Sequence, residues 1–335
     1  MTPRRRIVPV FVPHLGCTHQ CVFCDQRAIS GRAAPADPKT VEEALRSAQA
    51  VNAWAELALY GGSFTAVPRD TRKALLEAAQ PFRASGFLRS IRISTRPDCI
   101  REEELTELAA YGVETVELGA QSMCNRVLAA SGRGHAAEDT ERAVGLLKAC
   151  GFQVILQMMT GLPEAQAADD LYTARRLADL RPHGVRVYPT LVLRDTPLAA
   201  MWRRGEYRAK TVEEAVEVCA PILGLFLDAG IPLLRLGLHP SRELEEKLLA
   251  GPYHPAMGEL VYSRLYRDRA ERLLGACPAL PSAVTLLVHS GGVSKMTGQG
   301  RSNLLWLKER FALAELRAEE AELPPGAIAI KEKIE

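Results

Sequence analysis

Residues 7–26, "IVPVFVPHLGCTHQCVFCDQ", join a short valine-rich run to three cysteines, Cys17, Cys21 and Cys24, spaced C-x3-C-x2-C. The run (7–12) reads as a first β-strand, which puts the cysteines in the loop at its carboxyl end. In α/β proteins such loops are where ligands bind. The other five cysteines, Cys99, Cys124, Cys150, Cys219 and Cys277, stand singly, and each is expected to be a small buried hydrophobe. A chain of 335 residues can build a large core without covalent staples, so the cluster points to a ligand or redox role and not to disulfides.

Outward from this stretch, β-branched runs alternate with helical ones: "ELALY" (56–60), "SIRIS" (90–94), "VETVEL" (113–118), "FQVILQMM" (152–159) and "GVRVYPT" (184–190). The alternation predicts βα units around a parallel sheet, six of them by about residue 230. Thr40 with Glu43, and Thr211 with Glu214, have capping-box spacing, and Gly112 and Gly151 sit where helices should stop. Pattern alone fits either a doubly wound sheet or a barrel. Further on, "IPLLRLGLH" (231–239) and "VTLLVHS" (284–290) read as strands flanking a long helix from about 256 to 275. The tail "AELRAEEAELPP" (314–325) reads as a charged, solvated helix ending at Pro324 and Pro325.

Composition is that of an ordinary globular protein, 47% hydrophobic and 24% charged, which argues against a disordered chain. A net charge of +2 neither demands nor excludes a polyanionic partner. The basic start followed by an apolar run imitates a secretory signal, but Pro9 and Pro13 interrupt it and His14 stands where a lipid-anchoring signal wants an aliphatic residue. No apolar stretch approaches the roughly 18 residues of a membrane span. The expectation is a cytoplasmic protein without a membrane partner.

Two metal centres suit the three thiols. Zinc wants a fourth ligand, with His14 and His19 at hand, whereas an iron-sulfur cluster held by three cysteines leaves one iron without a protein ligand. Later strand ends carry the residues expected around a catalytic cofactor. "YGGSFT" supplies Gly61, Gly62, Ser63 and Thr65; "STRPD" supplies Arg96 and Asp98; "VELGAQS" supplies Glu117, Gln121 and Ser122; and "SGRGH" supplies Arg133 and His135.

These words together resemble the radical S-adenosylmethionine (radical SAM) superfamily. "YGGSFT", "STRPD", "VELGAQS", "RGH", "YPTLVLRDT" and "GEY" are similar to the radical domain of the Elongator catalytic subunit, a transfer-RNA wobble-uridine modifying enzyme. "GAQS", the arginine twelve residues after its glutamine, and "GLP" also resemble oxygen-independent coproporphyrinogen III oxidases. The match covers roughly residues 7–240. It implies a partial (β/α)6 barrel over 1–230 with a C-terminal α/β extension, 231–335, covering it. It also implies a 4Fe-4S cluster on Cys17, Cys21 and Cys24 whose fourth iron chelates S-adenosylmethionine, with one electron from a flavodoxin- or ferredoxin-type donor releasing a 5′-deoxyadenosyl radical that abstracts hydrogen from substrate.

By the same resemblance Gly61, Gly62 and Ser63 meet the methionine amino group, and Gln121 and Arg133 hold the ribose and carboxylate. Thr65, Arg96, Glu117 and Gln157 complete the cofactor-binding set, Gln157 standing where the porphyrinogen oxidases carry an acid. The substrate implied is RNA or a small molecule. The chain is too short for Elongator's acetyltransferase domain after the radical domain, so acetyl transfer is not expected. The competing reading is a non-catalytic zinc- or cluster-stabilised protein that binds nucleic acid or senses a cofactor.

The C-terminal third adds words outside the resemblance. "LRLGLHP" contains Arg235 and His239, and "GPYHPAMGEL" contains Tyr253, His254 and Glu259. "SKMTGQGRSN" contains Lys295, Gln299, Arg301 and Asn303 and reads as a solvated loop or a phosphate cradle.

Overall fold

The computed structural model describes residues 6–12, 16–17, 19–25 and 37–331. In chain order its strands are β1 (Ile7–Phe11), β2 (Ala55–Tyr60), β3 (Leu88–Thr95), β4 (Val113–Gln121), β5 (Gln153–Thr160), β6 (Gly184–Pro189), β7 (Val192–Leu193), β8 (Leu233–Leu236), β9 (Leu248–Ala250), β10 (Ala283–His289), β11 (Glu315–Ala321) and β12 (Ile328–Ile330). The main sheet runs β1-β2-β3-β4-β5-β6-β8 with every neighbour parallel. The six strands read up to residue 190 are all present, and the strand expected over 231–239 is β8, which joins the main sheet as a seventh strand past β6 instead of belonging to a separate extension.

Strand period sorts the side chains. On β1, Val8 and Val10 pack into the core, whereas Ile7, Pro9 and Phe11 face a cavity. Pro9 is tolerated because β1 is an edge strand and the missing N–H points away from β2. The same alternation sends Tyr60, Ser94, Glu117, Gln157, Arg186 and Arg235 inward from the other six strands to that one cavity. A sheet whose two edges line a single cavity must curl around it, so this is a half-barrel.

The helices cover the outer face. The Pro38–Gln49 helix buries Val41 and Leu45, and the Val212–Asp228 helix buries Ile222, Leu223 and Phe226 in the same core. The latter starts on the Thr211–Glu214 capping box read from sequence. At the former the cap is Asp37 instead of Thr40: its carboxylate accepts from the Thr40 amide at 2.8 Å and the Thr40 hydroxyl at 2.7 Å. Gly112 (φ +84°) and Gly151 (φ +81°) end their helices in the left-handed region as expected.

The C-terminal part forms a small sheet, β11-β10-β12, with its own apolar cluster around Leu286, Val288, Met296 and Leu307. The long Met257–Gly275 helix joins the two cores, giving Val261 and Leu265 to the first and Tyr266, Ala270 and Leu274 to the second. The tail expected as a helix is strand β11, paired parallel with β10 from Ala283↔Glu315 to His289↔Ala321. Its Glu, Ala and Leu favour helix locally. The pairing, with Leu316 buried and Ala318 packed on the second cluster, overrides that preference. Among the described residues no helix is long and apolar enough to cross a membrane.

Candidate functional site

The cysteine loop is held by contacts from four directions. Gly16, at φ +73°, lies so close to the turn after β2 that a Cβ would fall 2.3 Å from the Ser63 carbonyl oxygen. The Val22 amide donates to Ser131 O (3.1 Å), and the Val22 carbonyl accepts from the Leu198 amide (2.9 Å). His19 packs over Gly134, where any Cβ would meet its ring, and Asp25 pairs with Lys247 at 2.6 Å. Cys17, Cys21 and Cys24 line one wall of a cavity of about 550 Å³.

The following strand ends complete that wall. Gly61 and Gly62 (φ +81° and +64°) turn the chain after β2 and line the cavity with backbone. The hydroxyls expected beside them point elsewhere: Thr65 bonds Thr95 Oγ1 at 2.7 Å, and Ser63 accepts from the Arg96 amide at 3.2 Å, both buried. They tie the ends of β2 and β3 together. Arg96 lines the cavity but is engaged, forking onto Asp98 with two 3.0 Å bonds and donating to the Arg133 carbonyl.

That contact fixes the backbone of Arg133, whose own guanidinium is oriented from within. Its Nη2 donates to Gly119 O (2.5 Å) and its Nη1 lies 3.3 Å from Cys21 Sγ. Its buried Nε has no hydrogen-bond partner among the described residues. A buried orphan donor on an arginine facing a cavity suits an anionic ligand group. Burial, and then the Arg133 and Arg96 charges, push neighbouring His135 down to about 4, so it is neutral at neutral pH.

Gln121 comes off a bulge at the end of β4, where the register slips between Gly119 and Gln121, and it takes a left-handed φ of +65°. The bulge turns the side chain into the cavity, where its Oε1 accepts from Gln157 Nε2 at 3.3 Å. A non-glycine residue held there carries strain that the surrounding sheet must offset.

Below these residues lies a buried ionic network, of which the sequence reading singled out only Glu117. Arg92 pairs with Glu56 (3.1 Å) and Glu117 (2.9 Å); Arg186 meets Glu117 at 3.0 Å and the Tyr60 hydroxyl at 3.2 Å. Glu117 therefore spends its carboxylate on two arginines. Burial, reinforced by Glu117, holds the Tyr60 hydroxyl well above its ordinary range, so it stays protonated. The sequence signal for the network is a charged residue on the inward period of an otherwise apolar strand, as in "ELALY" and "SIRIS".

Several candidates lie away from the cavity. His254 accepts from the Ala256 amide (3.0 Å), Tyr253 bonds Glu245 (2.6 Å), and buried Asn303 donates to Ser263 and Lys295 backbone, all structural contacts. Arg301 is exposed, and Lys295 stacks on Tyr262 at 4.4 Å. His14 lies outside the described residues. Of the isolated cysteines only Cys219 is fully buried, and Cys150 is exposed at a helix end, so the uniform expectation of buried thiols fails there.

The thiol wall fits a metal centre by its chemistry. Burial first, then neighbouring Cys21 and Cys17, push the Cys24 thiol up to about 12. Three crowded thiols in such a place become thiolates only against a strongly electropositive partner. Among the described residues no three His, Cys, Asp or Glu side chains converge tightly enough to hold a single metal ion.

Comparison with known proteins bears on this arrangement. The profile described as "Radical SAM superfamily" matches residues 11–177, and "Radical_SAM C-terminal domain" matches 182–267. A tRNA uridine(34) acetyltransferase of Methanocaldococcus infernus is 38% identical over 148 residues, 43% of this chain and 28% of that protein. Elongator complex protein 3 of Mus musculus is 28% identical over 231 residues, 63% of this chain and 41% of that protein. This chain thus spans well under half the length of these curated relatives. The solved archaeal Methanocaldococcus infernus Elp3 with an N-terminal deletion superposes with a TM-score of 0.62 at 26% identity, covering 78% of this chain and 63% of that one.

Proposed function

The chain belongs to the radical SAM superfamily, whose members are enzymes, and from that premise we propose that it is an Elongator-like radical SAM enzyme acting on RNA. The observation that carries the reading is the convergence of Cys17, Cys21 and Cys24, the Gly61–Gly62 turn, Gln121 and Arg133 on one cavity at the carboxyl end of a parallel sheet. In this reading the three thiols hold a 4Fe-4S cluster with one open iron position. When bound, the cluster and S-adenosylmethionine supply the one-electron sulfonium cleavage that yields a 5′-deoxyadenosyl radical for hydrogen abstraction.

The chain's own residues bind, orient and seclude. Arg133, already anchored to Gly119 O, offers its free Nε–H to the carboxylate of S-adenosylmethionine. Gly61 and Gly62 let the backbone approach the amino group without a Cβ in the way. Gln121, steadied by Gln157, reaches the ribose. Arg96 acts through Arg133 and is a positioning residue, whereas Ser63 and Thr65 brace the scaffold by joining the ends of β2 and β3. Ile7, Phe11, Phe23, Met159 and Leu191 line the remaining wall with apolar surface that keeps water from the reacting atoms.

RNA is the substrate class of this reading because the relatives matched include an enzyme named for a tRNA uridine. The seven-stranded half-barrel, which runs through β8 and so past the boundary at 230 expected from sequence, forms the catalytic core, the segment after it covers the core, and a flavodoxin- or ferredoxin-type protein of the cytoplasm delivers the electron. The test is anaerobic: protein reconstituted with iron and sulfide, given S-adenosylmethionine and a strong reductant with and without transfer RNA, and assayed for 5′-deoxyadenosine. Wild type should form it, and the Cys17→Ala, Cys21→Ala, Cys24→Ala variant should not. Equal yields from both would remove the cluster from the reaction, and zinc retained in place of iron would favour the non-catalytic binding protein.

A further inference from the structure

Apart from Arg133 in its loop, the strands of the half-barrel leave one inward charge over. Arg92 and Arg186 are matched by Glu56 and Glu117, but Arg235, which lines the same cavity from β8, has no carboxylate at ion-pair distance among the described residues. Its Nε–H donates to Gly237 O at 3.1 Å, which fixes the stem and leaves both terminal amino groups without a hydrogen bond there. The register Arg186↔Arg235 puts the two guanidiniums on one face of neighbouring strands, with Tyr188 also on the cavity wall. β8 is the edge of the sheet opposite β1, and β1 leads into the cysteine loop. Arg235 therefore lines this cavity, half-buried, from the edge of the sheet opposite β1, and exposed His239 lines it as well.

We propose that Arg235 is the substrate-side anion subsite of this cavity, receiving a phosphodiester of an RNA whose neighbouring nucleoside enters toward the thiol wall. The proposal rests on the radical SAM reading for the direction of entry. A guanidinium with two open amino groups matches a phosphate oxygen pair. A half-buried guanidinium on an edge strand suits a group that stays toward solvent while the base goes in, as when a nucleotide is turned out of its strand into a pocket. Arg186, its register partner one strand in, is already taken by Glu117, which leaves Arg235 as the open guanidinium of the pair.

The test is calorimetric binding to the iron-reconstituted protein saturated with S-adenosylmethionine, using uridine 5′-monophosphate, uridine and malonate as probes. Wild type should bind the monophosphate more tightly than uridine. Arg235→Gln should cost roughly 10- to 100-fold for the monophosphate and erase that preference. Arg235→Lys, which keeps the charge and loses the fork, should fall between and carries the test if the glutamine variant does not fold. S-adenosylmethionine affinity should not change in either. Monophosphate binding unchanged in Arg235→Gln would overturn the proposal. So would an equal loss of S-adenosylmethionine binding, which would give Arg235 to the cofactor, or an effect confined to malonate, which would make the subsite one for carboxylates. Arg235-dependent monophosphate binding in a wild type that never cleaves S-adenosylmethionine would sink the radical reading and leave the subsite standing.

Discussion

Glu117→Gln isolates the buried network beneath the site. The carboxylate accepts from Arg92 Nη1 at 2.9 Å, Arg186 Nη2 at 3.0 Å and the Tyr60 hydroxyl at 3.4 Å. The amide keeps the shape but loses the charge, leaving two enclosed guanidiniums to share Glu56, and its NH₂ has only cationic donors to face. Removing one partner of a buried ion pair costs about 3–5 kcal/mol, because the remaining charge is uncompensated. Unfolding entropy of about 2.1 cal/mol/K per residue gives roughly 0.7 kcal/mol/K for a chain of this length, so the melting temperature should fall by about 4–7 °C. Exposed Glu114 on the same strand is the control, and Glu114→Gln should stay within about 0.5 kcal/mol. The assay is thermal unfolding followed by circular dichroism. A Glu117→Gln protein melting within a degree of wild type would refute the claim that this carboxylate neutralises the floor of the half-barrel.

Other perturbations separate the loop, the scaffold and a buried acid. Gly16→Ala sets a Cβ against the Ser63 carbonyl at a left-handed φ, so the cysteine loop must lift; iron bound on reconstitution should drop well below wild type, and full loading would count against the docking described. Thr65→Val deletes the 2.7 Å bond to Thr95 and should cost about 1 kcal/mol in a denaturant titration with S-adenosylmethionine affinity unchanged; a loss of affinity alone would return Thr65 to the cofactor. Burial pushes the Asp170 carboxyl up to about 7 from 3.8. An acid held above its unfolded value contributes stability fully at low pH and loses it as pH rises through that interval. Asp170→Asn should therefore gain on wild type in melting temperature between pH 4.5 and 7.5, and parallel pH curves would show that Asp170 does not titrate in that range.

The parts legible in the sequence are those encoded locally. Strand period and helix stops located β1 to β6, and the three-cysteine spacing fixed attention on the loop that does line the cavity. What escaped depends on partners distant in the chain. β11 looks helical because its composition is, and only pairing with β10 makes it a strand. Gln121 gives no local sign of its left-handed φ, which comes from a register slip against β5. Ser63, Thr65 and Glu117 carry the right chemistry for a ligand, yet each is taken up by a residue at least 25 positions away. Arg235 stood out in sequence as a charge within a strand, but its surplus shows only once Arg92 and Arg186 are seen to be matched.

The central claim is that three thiols hold a cluster with one iron left open for S-adenosylmethionine. The most direct measurement is the electron paramagnetic resonance spectrum of the reconstituted, reduced protein before and after that compound is added. The account predicts about four irons per chain and a reduced 4Fe-4S signal that changes in g-values on addition, with the change lost in Arg133→Gln and the signal absent when Cys17, Cys21 and Cys24 are replaced by alanine. A cluster signal indifferent to S-adenosylmethionine, or a protein that takes up zinc and refuses iron, would contradict it.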